Sequence, residues 1–220
     1  MRGTTMQRRH FNLAIGMAAA VALTAAAMIS STATGETADG PQIGMPAPQF
    51  TGVNTAGEAV SLSDFEGQTV ILEWTNHGCP FVQKHYDPAY SNMQNLQADA
   101  AEDGIAWLTV ISSAPGKQGH VSAAQADELT SSRGAAPAHV ILDESGDIGR
   151  AYDAKTTPHM YIITPEGELA YKGAIDSVKS ARVDDIPEAT NHVTAALDAL
   201  QAGQPVDPAS TKAYGCSVKY

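Results

Sequence analysis

The feature that most constrains this fold is an apolar run that leads directly into a Gly-Cys-Pro sequence. Residues 70–74 read Val-Ile-Leu-Glu-Trp, which is typical of a buried β-strand. A short turn then ends in Gly78, Cys79 and Pro80, and apolar residues recur after it at helical spacing. Because proline is favoured at the first helical position, Pro80 predicts a helix start with Cys79 as the N-cap residue.

Cys79 has an electrostatic advantage at such a position. The first turn of a helix presents unpaired N–H groups and the positive end of the helix dipole, which stabilise a thiolate relative to a thiol. The thiolate is the nucleophilic form of cysteine, so the sequence predicts a reactive Cys79. The alternative is a buried cysteine that serves only as a small hydrophobic core residue.

The rest of the chain alternates strand-like and helix-like segments. Residues 55–58 predict the turn of an N-terminal β-hairpin within residues 50–62, and Pro88 predicts a kink in the helix that follows Cys79. Further strands are expected at residues 105–111, 138–142, 159–163 and 169–173, and further helices at residues 121–132, 148–152 and 186–202. This order predicts an α/β protein with a central mixed β-sheet flanked by helices.

The N-terminal segment has the pattern of an export signal. Arg8 and Arg9 precede an apolar run at residues 14–29, and small residues follow it. The arginine pair resembles the twin-arginine signal, so the protein is expected in the periplasm or outside the cell. The apolar run is shorter than the roughly 20 residues of a membrane span, which favours a cleaved signal over an uncleaved anchor. No stable membrane association is expected after cleavage.

These patterns divide the chain into four parts. Residues 1–33 are expected to be the signal peptide, residues 34–42 a linker and residues 43–203 a single domain. Residues 204–220 form a C-terminal tail that contains prolines and has neither helical nor strand periodicity. The tail is therefore expected to lie on the domain surface and to be able to move.

The charge of the chain argues against nucleic acid as a partner. The formal net charge is −11, and removal of Arg2, Arg8 and Arg9 with the signal leaves 10 basic side chains against 24 acidic ones, or about −14. An acidic surface repels the phosphate backbone and anionic membranes.

The chain contains two cysteines, Cys79 and Cys216. An oxidising compartment permits a disulfide between them. Such a bridge would be either a structural link between the tail and the domain or a catalytic pair, and the composition leaves both interpretations open.

Two histidines near Cys79 define an alternative function. His77, Cys79 and His85 offer nitrogen and sulfur ligands that suit a soft metal, and His159 and Met160 could join them from a neighbouring loop. This alternative predicts a periplasmic copper-binding protein or copper chaperone.

Four stretches together resemble the redoxin family, the peroxiredoxin-like proteins of the AhpC/TSA type. These stretches are residues 76–82, 157–159, 172–176 and 214–220, and the resemblance covers residues 43–220. It implies a thioredoxin-like fold and thiol redox chemistry that needs no cofactor. It also implies that Cys79 attacks the substrate and that Cys216 is the second cysteine.

The resemblance assigns further residues around Cys79. Thr157 and Pro158 match the cis-proline loop that faces the active cysteine and pairs with an extended substrate. Val82 stands where thioredoxins carry a second cysteine, which excludes a local Cys-X-X-Cys pair. Peroxiredoxins carry Thr or Ser three residues before the cysteine, where this chain has Asn76, preceded by Thr75. Thr75 and Asn76 are expected to contact the substrate.

Glu73 matches the buried carboxylate that thioredoxins place on the strand beneath the active site. A buried carboxyl has a raised pKa and could relay a proton, although strand alternation allows Glu73 to face either side of the sheet.

The expected function is that of an exported thiol-dependent oxidoreductase, either a peroxidase or a thiol–disulfide oxidoreductase. The Cys79 thiolate attacks a peroxide or a disulfide, and Cys216 resolves the product. A thiol reductant, which the sequence does not identify, then returns both cysteines to thiols.

Overall fold

The computed structural model describes residues 40–220. The predicted signal peptide and residues 34–39 of the predicted linker lie outside this range. Among the described residues, no helix has the length and hydropathy needed to cross a membrane.

A seven-stranded mixed sheet forms the centre of the described region, and two further strands form a small second sheet. In chain order the strands are β1 (Thr51–Asn54), β2 (Ala59–Ser61), β3 (Val70–Trp74), β4 (Ala106–Ile111), β5 (His139–Leu142), β6 (Thr156–Thr157), β7 (His159–Ile163), β8 (Leu169–Gly173) and β9 (Cys216–Ser217). The central sheet has the order β2-β1-β5-β4-β3-β7-β8, in which β3, β4 and β5 are parallel and the other pairs are antiparallel. The second sheet pairs β6 with β9.

Five α-helices accompany these strands in the described region. They are α1 (Pro80–Tyr86), α2 (Asn92–Glu102), α3 (Ala123–Ser132), α4 (Asp147–Ala151) and α5 (His192–Gln201). Strands β1 and β2 form the predicted N-terminal hairpin, with Thr51 opposite Ser61. The fold is thioredoxin-like, as the sequence predicts.

The predicted kink at Pro88 is wrong, because the chain forms two separate helices there. Helix α1 ends at Tyr86, and Asp87 has an extended backbone with ψ of 131°. The residue before a proline is sterically excluded from helical conformations, which accounts for the break. Ser91 then adopts a left-handed conformation with φ of 49° directly before α2.

The last helix begins later than predicted. Asn191 is its N-cap, and the Asn191 side chain accepts hydrogen bonds from the amides of Val193 and Thr194 at 3.0 and 3.1 Å. This cap fixes the start of α5 at His192 rather than near residue 186. A short 3-10 turn, Val183–Asp185, lies in the segment before it.

The two faces of β3 pack against two different layers of the core. Its five residues are all buried, and their alternation directs Leu72 and Trp74 to one face and Ile71 and Glu73 to the other. The face of Ile71 packs in the same hydrophobic cluster as Cys79 and the first two helices. The chain therefore reaches Cys79 by a short turn from the end of β3, and one face of β3 packs in the same cluster as Cys79.

Truncation of Leu72 tests how much the fold depends on this central strand. Leu72→Ala removes a side chain that has no exposed surface, and we expect a loss of about 3 kcal/mol in the free energy of unfolding. The measurement is urea denaturation. Val53→Ala on strand β1 is the matched control, because Val53 is 51% exposed, and it should cost less than about 1 kcal/mol. Equal losses in the two variants would contradict this assignment of the core.

Candidate active site

Cys79 lies at the junction of β3 and α1, as predicted. It is the N-cap of α1, with Pro80 as the first helical residue, and it has no exposed surface. Its carbonyl oxygen accepts hydrogen bonds from the amides of Val82 and Gln83, both at 2.9 Å. The Cys79 sulfur makes no close capping hydrogen bond in the first turn of α1.

The loop at Thr157 and Pro158 faces Cys79. The peptide bond between these two residues is cis, and the Cys79 thiol donates a hydrogen bond to the Thr157 carbonyl oxygen at 3.2 Å. Thr157 is buried, and it belongs to β6. The structure thus brings together the cysteine and the loop that the resemblance pairs with it.

The C-terminal tail also reaches Cys79. Cys216 lies in β9, directly opposite Thr157 in the antiparallel pair with β6. The Cys216 amide donates a hydrogen bond to the Cys79 sulfur at 3.4 Å, and both cysteines are free thiols. Gly215 makes this approach possible, since a Cβ atom there would lie 1.9 Å from the Thr157 carbonyl oxygen.

The tail lies mostly on the domain surface, as the sequence predicts, but hydrogen bonds attach it to the domain on both sides of Cys216. Beyond Cys216, the Val218 amide donates to the Lys155 carbonyl at 3.0 Å, and the Tyr220 hydroxyl donates to the Ala154 carbonyl at 2.7 Å. Before Cys216, Tyr214 is only 5% exposed. The lack of periodicity in the tail reflects a two-residue strand, which is too short to show one.

The surroundings shift the pKa values of the two thiols in opposite directions. Burial alone would raise the pKa of Cys79, but hydrogen bonds from the Cys216 thiol and amide, then from the Val82 amide and the Thr157 side chain, hold this pKa below its ordinary value. Burial, the hydrogen bond with Cys79 and the charge of Cys79 raise the pKa of Cys216 to about 11. The site therefore stabilises a thiolate on Cys79 more than on Cys216, and the tail lowers the pKa of Cys79 more than the helix does.

Glu73 lies fully buried beneath the site on the side of the first two helices. Its carboxylate oxygens accept hydrogen bonds from four side chains: Tyr86 at 2.9 Å, Trp107 at 3.0 Å, Thr109 at 3.3 Å and Gln97 at 3.4 Å. These donors offset the cost of burying a carboxylate. Cys79 is not among these partners, so Glu73 is tied to the helical layer rather than directly to the sulfur.

Thr75 and Asn76 occupy the turn between β3 and Cys79. The Asn76 side chain shapes the turn, because its carbonyl accepts from the Gly78 amide at 3.0 Å and its amide donates to the Gln118 carbonyl at 3.3 Å. The Thr75 hydroxyl is buried and has no hydrogen-bond partner. It lines a cavity of about 10 Å³ that Arg133 also borders. This is about the volume that one water molecule needs.

The predicted metal ligands are not brought together. His85 contacts Asn92 at 3.0 Å and lies 3.7 Å from Asp176, whereas His159 contacts Tyr161 at 3.1 Å. Across residues 40–220, no group of three His, Cys, Asp or Glu side chains is close enough to hold a metal ion. His77, Cys79 and His85 therefore do not form the copper site considered from the sequence.

A polar cluster beside the site was missed by the sequence reasoning. Lys84, Asp176 and Tyr214 are all buried and joined by an ion pair and hydrogen bonds. Asp176 and Tyr214 fall within the stretches that carry the family resemblance, but their contact spans 38 residues of sequence and has no local signature.

Comparison with known proteins agrees with this geometry. The profile of the AhpC/TSA family matches residues 43–172. Among curated protein sequences, none is significantly similar to the chain.

Solved structures share the fold. An uncharacterized conserved protein from Geobacillus kaustophilus is 26% identical, with a TM-score of 0.71 over 81% of this chain and 92% of that one. A hypothetical protein from Sinorhizobium meliloti 1021 is 22% identical, with a TM-score of 0.70 over 81% and 94% of the two chains. A candidate protein disulfide isomerase from Bacteroides thetaiotaomicron is 20% identical, with a TM-score of 0.52 over 76% and 91%.

The family profile covers more than half of the chain and includes β3, the Cys79 turn and the cis-proline loop. The chain belongs to the AhpC/TSA family of thioredoxin-like redoxins.

Proposed function

We propose that this protein is an exported thiol-dependent oxidoreductase in which Cys79 attacks a peroxide or a disulfide and Cys216 resolves the product. The observation that carries the proposal is the hydrogen bond from the Cys216 amide to the Cys79 sulfur. It holds the second cysteine beside the first before any oxidation has occurred. An intramolecular reaction gains rate from such prior positioning.

The acidities of the two thiols support this division of roles. Cys79 has the lowered pKa and is therefore the better nucleophile at neutral pH. Two of the three influences that raise the pKa of Cys216 come from Cys79 itself, through its hydrogen bond and its negative charge. Oxidation of Cys79 removes that charge, so Cys216 becomes easier to ionise when its own reaction is due.

With a peroxide, the Cys79 thiolate attacks one oxygen of the O–O bond. An S–O bond forms, the O–O bond breaks, and the leaving oxygen takes up a proton to become an alcohol or water. Cys79 is oxidised to a sulfenic acid. Cys216 then attacks the Cys79 sulfur, so that an S–S bond forms, the S–O bond breaks and water leaves.

With a disulfide, the Cys79 thiolate attacks one sulfur and the other leaves as a thiol after taking up a proton. The mixed disulfide on Cys79 is then attacked by Cys216, which releases the second substrate thiol. Both routes end in a Cys79–Cys216 disulfide, which a dithiol reductant converts back to two thiols while it becomes a disulfide itself. Glu73, Thr75 and Asn76 form the polar surroundings of this chemistry, and Thr157 and Pro158 form the loop on which the substrate or the tail pairs.

The proposed location is the periplasm or the exterior of the cell. The Arg8-Arg9 pair and the apolar run after it support export of the folded protein, followed by cleavage near residue 33. An oxidising compartment agrees with a pair of cysteines that cycles through a disulfide.

The acidity of Cys79 gives the first test of this function. In Cys216→Ser and Cys216→Ala, Cys79 is the only thiol, so the ultraviolet absorbance of the thiolate reports its titration directly. The serine hydroxyl can still donate to the Cys79 sulfur, and alanine cannot. We expect a midpoint below the free-cysteine value of about 8.5 in the serine variant and a higher midpoint in the alanine variant. A serine variant that titrates at or above the free value would contradict an activated Cys79.

The role of Cys216 gives the second test. Cys216→Ser should slow turnover with a peroxide or disulfide and a thiol reductant by about tenfold or more, because the intermediate loses its internal resolving thiol. Mass spectrometry should find Cys79 trapped as a sulfenic acid or a mixed disulfide. The matched control is Cys79→Ser, which should neither turn over nor form either adduct. Normal turnover of Cys216→Ser would show that an external thiol resolves the intermediate.

Export is tested by replacing the arginine pair. Arg8→Lys combined with Arg9→Lys keeps the positive charge of the signal but removes the pair that the twin-arginine machinery reads. The precursor should then accumulate in the cytoplasm, as measured by fractionation and immunoblotting. An Arg2→Lys variant serves as the control. Unchanged export of the double variant would assign the protein to the general secretory route.

A further inference from the structure

A buried ion pair lies beneath the tail, close to Cys79. Lys84, on the helix that Cys79 caps, donates from its ammonium group to Asp176 Oδ2 at 2.9 Å, and both side chains are at least 96% buried. Burying two charges is costly unless every remaining donor and acceptor is satisfied. Lys84 has a second acceptor in the Val178 carbonyl at 3.3 Å.

The second oxygen of Asp176 is satisfied partly by the tail. Asp176 Oδ1 accepts one hydrogen bond from the Val178 amide at 3.0 Å and another from the Tyr214 hydroxyl. Burial and the Asp176 carboxylate raise the pKa of Tyr214, so its phenol remains a donor. A neutral donor to a buried carboxylate forms one of the stronger kinds of hydrogen bond.

His85 completes the surroundings of Asp176. Burial is the main reason that the pKa of His85 falls to about 4, with Lys84 acting in the same direction and Asp176 against it. His85 is therefore neutral at neutral pH and lies 3.7 Å from Asp176. Lys84 supplies the compensating charge within the cluster, and Tyr214 is the member contributed by the tail.

Tyr214 is held at two points on the same framework that presents Cys79. Its hydroxyl is bound to Asp176, and its ring packs edge-on against Phe81 of α1 with the ring centroids 5.8 Å apart. Cys216 follows only two residues later. Gly215 between them has φ of 138° and passes against the Thr157 carbonyl, where no side chain fits. A tail fixed at Tyr214 therefore enters the site at a defined point.

We propose that Tyr214 is a positioning residue that seats its hydroxyl on the buried Asp176–Lys84 pair and thereby holds Cys216 beside Cys79 for the resolving step. The inference rests on the function proposed above and adds to it a specific anchor. Lys84 and Asp176 act through Tyr214 rather than on the reacting sulfurs. The resolving step itself is the one already written, and the anchor changes its rate and its equilibrium but not its chemistry.

Tyr214→Phe is the decisive variant. It removes the hydroxyl but keeps the ring against Phe81, and Asp176 keeps its ion pair with Lys84, so the domain should fold. Tyr214→Ala removes both contacts and should have the larger effect. Tyr90→Phe is the matched control, because Tyr90 is 38% exposed and lies in the link between α1 and α2.

The experiment times the two steps separately in the reduced protein. Hydrogen peroxide is added in one series and oxidised glutathione in the other, and samples quenched at successive times are analysed by mass spectrometry. The decay of the sulfenic acid or mixed disulfide on Cys79 into the Cys79–Cys216 disulfide measures the resolving step alone. We expect this decay to be about tenfold slower in Tyr214→Phe than in wild type, and unchanged in Tyr90→Phe.

Two further measurements distinguish positioning from a general loss of stability. The equilibrium between the Cys79–Cys216 disulfide and glutathione should shift toward the dithiol by a similar factor of about ten, since it reports the effective concentration of one thiol at the other. Deuterium exchange should increase at residues 215–218 and remain unchanged in the central sheet.

The outcomes separate this inference from the proposed function. If wild type forms the Cys79–Cys216 disulfide and Tyr214→Phe forms it as fast as Tyr90→Phe does, the positioning role is refuted and the proposed function stands. If wild type forms no such disulfide with either oxidant, the proposed function fails and the positioning role fails with it.

Discussion

A buried sulfur can carry negative charge only if hydrogen-bond donors replace the water that it has lost, and the structure around Cys79 is organised by this requirement. Part of the need is met by the first turn of α1, through the Val82 amide. A larger part is met by Cys216, whose thiol and amide both point at the Cys79 sulfur. The C-terminal tail is thus part of the electrostatic environment of Cys79, the proposed nucleophile, in addition to carrying the second cysteine.

The central sheet makes this arrangement possible by fixing three segments relative to one another. Strand β3 leads into Cys79 and pairs with β7, which begins directly after Pro158. The cysteine turn and the cis-proline loop therefore lie at the same edge of the molecule. The small sheet of β6 and β9 then adds the tail to that edge through backbone hydrogen bonds. Since β9 has only two residues, contacts on both sides of it also hold the tail, among them the Val218 to Lys155 backbone hydrogen bond and the hydroxyl contacts of Tyr214 and Tyr220.

The features that the sequence predicted are those encoded over a few neighbouring residues. The strand at residues 70–74, Pro80 at a helix start and the hairpin near residue 55 all depend on local propensity, and all of them are present. The missed features have two origins, a local side-chain cap and the pairing of segments that are distant in sequence. Asn191, a side-chain cap, overrode the apolar pattern that placed a helix start near residue 186. The pairing of Thr157 with Cys216 spans 59 residues, and no periodicity of the chain reports it.

Glu73 is a further residue whose hydrogen-bond partners could not be predicted from its neighbours in the sequence. The apolar strand around Glu73 predicted its burial, and the family resemblance implied its position beneath the active site. Its four donors, however, come from three other elements. These partners determine whether a buried carboxylate is tied into a network or available to a nearby sulfur. The Glu73 carboxylate belongs to such a network, and the ring of its donor Tyr86 is in turn stacked under Arg133, with 3.9 Å between the guanidinium carbon and the ring centre.

The tail segment that donates hydrogen bonds to the Cys79 sulfur also pairs with the loop that faces it. With β9 paired to β6, Cys79 has no exposed surface, and the backbone edge on which an extended substrate would pair is occupied by Cys216. A small oxidant needs only a brief opening of the tail to reach the sulfur. A protein disulfide must instead replace β9 along Thr157, and it then forfeits the donors that Cys216 provides. In the proposed function, the contacts that Tyr214 and Tyr220 make on either side of Cys216 would therefore bear both on the pKa of Cys79 and on the size of the oxidant that reaches it.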